Sequence, residues 1–281
     1  MSQQSMTQMF RRMGARVDVT SHSGGRMTRR LELDIRHDGR DEPDAYFYIS
    51  HRWDIRLEVL DVIPGDRHLL LRATDERTGR QRQTDVSQFL CGHDERSWFV
   101  AAVPEKAGAS NVPTAMAALK PFAVRASEAR AQLPASHRNR RKNRAFVRQG
   151  EWFFVPVARR RGNFVVDDKL VLRNEPLVRS GGARGGGKPH WAELCFRTGG
   201  RNVYVGPQQY GLLDESQYKA LVTHKPHLKR SFRLMRRDAG VYVKGKVRHP
   251  DHKTITLHDW HEVQMNTETQ AKAMRHVVFL D

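Results

Sequence analysis

Apolar and polar positions alternate along much of this chain with the two-residue period of a half-buried strand. In residues 30–36 the alternation is strict, with Leu31, Leu33 and Ile35 on one face. Residues 45–50, 56–63, 68–73, 80–84, 86–90 and 97–103 read as further strands. Pro64-Gly65-Asp66 and residues 75–79 supply turns, and residues 91–96 are expected to turn before Trp98. Strands this short and this regularly spaced predict an antiparallel meander. Residues 1–14 are polar with four methionines and read as an arm or a short helix. The pattern changes at 111–120, where Asn111 suits a helix N-cap and Pro113 its first turn. A second short helix is expected over 127–133, with Glu128 near its positive end.

Strand signals resume at 145–157, an extended segment, a turn at Gly150 and an apolar strand. Further strands are expected at 163–172, 190–196, 202–205, 231–235, 240–248, 253–257 and 276–280. Asp214 is placed to cap a helix through Val222, with Gln217 in its first turn. Residues 179–188, rich in glycine and arginine, read as a loop. The fold class predicted is mainly β (α+β), two antiparallel-sheet subdomains with a few short helices.

One hairpin allows its register to be derived. Val243, Gly245 and Val247 share one face of residues 240–248, while Tyr242, Lys244, Lys246 and Arg248 share the other. Ile255 and Leu257 form the apolar face of the second strand, opposite Thr254, Thr256 and His258. A five-residue loop, 249–253, pairs Val247 with Ile255 and Gly245 with Leu257, so the apolar sets coincide; an even loop would split them. The result is a ribbon with one core face and one basic, polar face.

Charge divides the chain. The formal net charge is +18. Residues 1–120 carry 18 Lys and Arg against 17 Asp and Glu, whereas residues 121–281 carry 31 against 14. A uniform compositional bias toward arginine would raise both halves, so the asymmetry points to a polyanion partner for the second. The organisation read from this is a charge-balanced meander domain at 1–120, a basic linker with a short helix at 121–145, and a basic, β-rich, nucleic-acid-binding domain at 146–281. No apolar run approaches the ~20 residues needed to cross a bilayer, and the start lacks a basic-then-apolar leader. Cys91 and Cys195 lie far apart in no C-x-x-C pair, which argues against a disulfide framework and for a reducing, intracellular (cytoplasmic) setting.

Candidate chemistry follows from these patterns. The residues expected to contact phosphate are Arg138, Arg140, Arg141, Lys142 and Arg144 in the linker; Arg159, Arg160 and Arg161; Arg179, Arg184 and Lys188 in the Gly/Arg loop; and Lys244, Lys246, Arg248 and Lys253 on the ribbon. Trp152, Phe153 and Phe154 adjoin the first patch and are candidates for base stacking, although alternation buries at least one of them. His249, Asp251 and His252 are weak catalytic or metal candidates on one loop that need a distant further ligand. His258 and His261 fall about 17 Å along the second strand at ~3.3 Å per residue, too far to join them. Cys91, His93, His190 and Cys195 have zinc-capable chemistry but no standard zinc spacing. No Walker loop, G-x-S-x-G, H-E-x-x-H, EF-hand or kinase motif is present. The sequence therefore predicts a protein that binds nucleic acid, with RNA or single strands favoured because no long basic amphipathic helix suits a major groove. No membrane contact and no cofactor are expected. Two alternatives stay open: a metal-dependent phosphodiesterase or nuclease using His249 and His252 with a divalent metal, and a non-catalytic subunit whose basic surface meets other protein subunits.

Overall fold

The computed structural model describes residues 3–23, 29–38, 45–76, 85–157, 164–177, 188–272 and 274. It is mainly β, with four sheets. The first half opens with helix α1 (Gln3–Arg12), which buries Met6 and Phe10. Strands β1 (Val17–His22), β2 (Leu31–His37) and β3 (Ala45–Arg52) form a sheet in the order β1-β3-β2. β1 runs parallel to β3, a departure from a pure meander. The expected meander is the next sheet, β4 (Ile55–Ile63), β5 (His68–Asp75), β6 (Asp85–Asp94) and β7 (Ser97–Val103). It is covered on both faces, which explains why Leu69-Leu70-Leu71 is apolar without a break. Leu69 and Leu71 join Phe10, Phe47 and Trp98 on one side. Leu70 faces Val112, Ala115 and Leu119 on the other. The expected turn at 91–96 is shorter than the sequence implies: β6 continues through Asp94, and the reversal falls at Glu95, whose φ is +48°.

Helix α2 (Val112–Ala118) starts at the predicted cap, Asn111, whose side chain accepts from Thr114 N–H at 2.9 Å. Residues 121–145, expected to be a basic linker with a short helix, carry two helices and an ordered turn. α3 (Phe122–Arg130) begins five residues before the expected start, so Ser127 lies inside it and donates its hydroxyl to Ala145 O at 2.9 Å. Glu128 lies within the helix, away from its positive end, and accepts from Lys120 Nζ at 2.7 Å in a buried ion pair. After α4 (Ala135–Arg138) the chain turns around Asn143, whose Oδ1 accepts from Ala145 N–H at 2.8 Å and Phe146 N–H at 3.0 Å. Phe146 and Phe153 pack there against Val124.

The second half is built on a six-stranded sheet in the order β10-β11-β15-β16-β9-β8, from β8 (Val147–Gln149), β9 (Trp152–Pro156), β10 (Leu172–Leu177), β11 (His190–Thr198), β15 (Gly240–Arg248) and β16 (Ile255–Met265). Residues 168–170, expected within a strand, form a 3-10 turn. The predicted hairpin register holds: Val247 pairs with Ile255 and Gly245 with Leu257. Beyond Gly245 the register shifts, and β16 runs on to Met265 to pair with β9. Val243, Val247 and Leu257 join Trp152, Phe154 and Ala192 in the core beneath. A small sheet, β12 (Arg201–Val205) between β13 (Leu212–Asp214) and β14 (Arg233–Arg237), carries α5 (Glu215–His224), capped by Asp214 and Gln217 as expected. Tyr204 and Tyr218 stack at 3.7 Å between that sheet and helix. Residues 80–84 and 276–280, expected to be strands, lie outside the described residues. No described helix is long and apolar enough to cross a membrane.

The halves meet at the β6–β7 tip. Arg141 pairs with both Asp94 and Glu95, and Arg148 reaches Asp94 at 3.5 Å. The Lys253 N–H donates to Glu95. Thr267 donates from its backbone to Leu119 O at 3.1 Å.

Candidate functional site

The predicted register closes the β15–β16 hairpin with the loop 249–253, and two of its residues turn inward. His249 continues the core-facing series Val243, Gly245, Val247, and His252 folds back under the loop; both are buried. The third partner comes from β11, where Trp191 pairs with Arg248 and Ala192 with Val247. One step beyond that ladder, His190 meets His249. The ring centroids lie 4.2 Å apart for His190 and His249, 5.3 Å for His190 and His252, and 4.7 Å for His249 and His252. One ring nitrogen from each lies within 4.8 Å of the others.

Backbone geometry holds the group in place. Gln149, 1% exposed, donates its amide to Val247 O at 3.3 Å and Lys253 O at 2.8 Å, pinning both ends of the loop to β8. Gly150 then turns the chain at φ +56° directly against His252. A Cβ at Gly150 would stand 2.7 Å from His252 Nε2, so both the left-handed backbone and the close approach require glycine. His249 Nε2–H donates to Lys188 O at 2.9 Å and its Nδ1 accepts from Asp251 N–H at 3.2 Å, which fixes the neutral tautomer. His252 has no hydrogen-bond partner at either ring nitrogen. Burial, reinforced by His249, pushes its pKa down to about 4. Burial also lowers the pKa of His249.

Asp251, the expected third member, stands outside the group because its carboxylate binds Lys188 Nζ at 2.8 and 3.1 Å. His190 takes that place. Its signal was in the sequence, but finding it required knowing that β11 lies beside β15, a pairing separated by some fifty residues. His258 is exposed, and His261 pairs with Val243 and Pro156 further along β16, as the spacing predicted. The zinc-capable quartet does not assemble: Cys91 lies in the first-half core and Cys195 under the six-stranded sheet. Burial raises the Cys91 thiol well above its ordinary value, which makes it a packing residue.

The basic candidates sort by what they touch. Arg140, Lys142 and Arg144 are exposed and carry no ion pair among the described residues. Arg138 is exposed but donates Nε–H to Leu133 O at 3.1 Å. Arg141 differs from these: it is ion-paired with Asp94 and Glu95, and burial lowers its pKa to about 10. Lys188 is committed to Asp251. Arg159, Arg160, Arg161, Arg179 and Arg184 lie outside the described residues. On the sheet's outer face Lys246 and Arg248 are exposed and Lys244 is half-buried, while Lys253 is exposed at the end of the loop. Arg248 donates to Asn174 Oδ1 at 2.6 Å. The proposed stacking residues Trp152, Phe153 and Phe154 are all buried in the core. Trp191, which alternation alone does not single out, is an exposed aromatic on the outer face of this sheet, 36% accessible and paired directly across from Arg248.

The chain has no significant match among known protein families, curated proteins or solved structures.

Proposed function

We propose that this protein binds single-stranded nucleic acid, RNA foremost, across the outer face of its six-stranded sheet. The observation that carries the reading is the Trp191–Arg248 pair. An exposed indole beside an exposed guanidinium offers a base a stacking surface and its phosphate a charged donor. Asn174 orients the guanidinium, and Lys246 extends the positive row along β15. At the loop's end Lys253 meets Glu95, which also holds Arg141, so the ribbon leads toward exposed Arg140, Lys142 and Arg144. The charge of residues 121–281 supplies the sequence-independent part of the affinity.

The phosphodiesterase alternative is less well supported. Its histidines are 2%, 6% and 4% exposed, which leaves no approach for a phosphodiester. The test is fluorescence anisotropy of the full chain with a labelled single-stranded RNA over a salt series. Log affinity should fall with log salt, at ~0.7 per phosphate contacted. Trp191→Ala should weaken binding by ~1–3 kcal/mol without changing the salt slope. Arg248→Gln should flatten the slope by about one contact. Binding that is independent of salt, or unchanged by both substitutions, would refute the reading.

A further inference from the structure

We propose that His190, His249 and His252 bind a borderline d-block dication, with Zn²⁺ as the type, in a closed structural centre that fastens the 249–253 loop to β11. The site does not depend on nucleic-acid binding and goes beyond it.

The donor set selects the metal. Three imidazoles and no carboxylate suit zinc and its neighbours rather than magnesium or calcium, which take oxygen ligands. The three ring nitrogens lie within 4.8 Å of one another. Tetrahedral zinc, at ~2.0–2.1 Å per nitrogen, holds its ligand nitrogens about 3.3 Å apart. Metal binding would draw the three rings together across that difference.

The shell around the site is arranged as metal sites are. A ligating histidine typically gives its other N–H to a backbone carbonyl, which fixes the tautomer and turns the lone pair inward. His249 does this: Nε2–H donates to Lys188 O at 2.9 Å. Its Nδ1 lone pair meets only the longer 3.2 Å contact from Asp251 N–H, which a metal displaces at small cost. His252 is the stronger indication. It is 4% exposed, has no hydrogen-bond partner at either nitrogen, and is pressed into place by Gly150 and the Gln149 clamp. An unsatisfied buried polar group costs ~1–3 kcal/mol. Coordination gives the ring the partner it lacks. The burial of all three ligands closes the site to larger groups.

The experiment uses the full chain, stripped with a chelator and dialysed. Co²⁺ titration, followed by visible absorbance, should saturate at one equivalent per chain with the intense d–d bands of tetrahedral coordination. Zn²⁺ should displace it and raise the melting temperature over the stripped protein. His190→Gln and His252→Ala should each lose affinity by more than the ~10–100-fold that outer-shell changes cost. His258→Ala, which alters an exposed histidine outside the cluster, should titrate like the parent. If either cluster variant fails to fold, the parent's cobalt spectrum and zinc-dependent melting decide. No stoichiometric uptake by the parent, octahedral pale-pink bands only, or full uptake by both cluster variants would overturn the proposal.

Discussion

Replacing Lys120 with Met isolates the cost of a buried charge at the joint between the halves. Lys120 is 4% exposed and its ammonium has three acceptors: Glu128 Oε1 at 2.7 Å, Arg138 O at 2.7 Å and Asn139 Oδ1 at 3.0 Å. Methionine fills nearly the same volume, so the packing change is small. What remains is the Glu128 carboxylate, 9% exposed at its side chain, with no counter-charge, and an orphaned carbonyl at Arg138. Breaking a buried pair on one side costs ~3–5 kcal/mol, whereas removing both charges is often close to neutral. Lys120→Met should therefore lower unfolding free energy by about 4 kcal/mol in urea denaturation. Lys120→Met with Glu128→Leu should recover at least half of that. Since Lys120 also ties down Arg138 and Asn139, the single variant should loosen the turn that presents Arg140, Lys142 and Arg144, visible as faster amide exchange at 138–146. A loss below 1 kcal/mol, or a double variant no more stable than the single, would refute the argument.

Acid should unfold the protein in a defined window. Burial, with help from Arg67 and Arg141, holds His93 down at about 4, and burial lowers His68 beside it. The unfolded chain binds these protons below about pH 6.5 while the folded chain does not, so stability is full above pH 6.5 and drains between 6.5 and 4. At ~1.4 kcal/mol per pKa unit, discounted for the partial exposure of His93, this residue contributes about 1–2 kcal/mol to the loss. His93→Phe should flatten that part of a stability–pH curve. Asn111→Ala removes the α2 cap and should cost ~1 kcal/mol in thermal unfolding, with Asn111→Asp close to parent. Gly150→Ala should strain the φ +56° backbone and displace His252, lowering the melting temperature and Co²⁺ uptake together.

The sequence was most informative where one physical constraint acted alone. The β15–β16 register followed from apolar faces that must coincide, and the 249–253 loop length followed from parity. The helix caps at Asn111 and Asp214 were legible because capping uses short, local side-chain geometry. Residues 138–144 read as part of a linker because a run of charge carries no apolar pattern. There the backbone is organised by Asn143, Lys120 and Phe146, and the arginines project from an ordered turn. Trp152 and Trp191 show the same limit in another form. Both lie in apolar-looking strands, and which ring reaches solvent depends on the face covered by the core, which local alternation does not reveal. His190 was hidden for a different reason: its relation to His249 is a cross-strand contact of high sequence separation.

The charge asymmetry acquires a structural explanation in the β6–β7 tip. A half with a large positive excess repels itself when compact. Asp94 and Glu95 come from the balanced half, and they pair with Arg141 and Arg148, which stand beside one another at the joint. Arg148 is mostly buried, and burial drags its pKa to about 10, so a counter-charge there serves folding. Glu95 further accepts the Lys253 N–H, which carries the same acidic contact to the end of the histidine loop. The neutralised arginines thus form the joint, and Arg140, Lys142, Arg144, Lys246 and Arg248, which carry no ion pair among the described residues, face outward on the turn after α4 and along β15. That division turns a composition statistic into a prediction about place: neutralising Arg141 should cost stability, whereas neutralising Arg140 and Arg144 should cost only affinity for a polyanion.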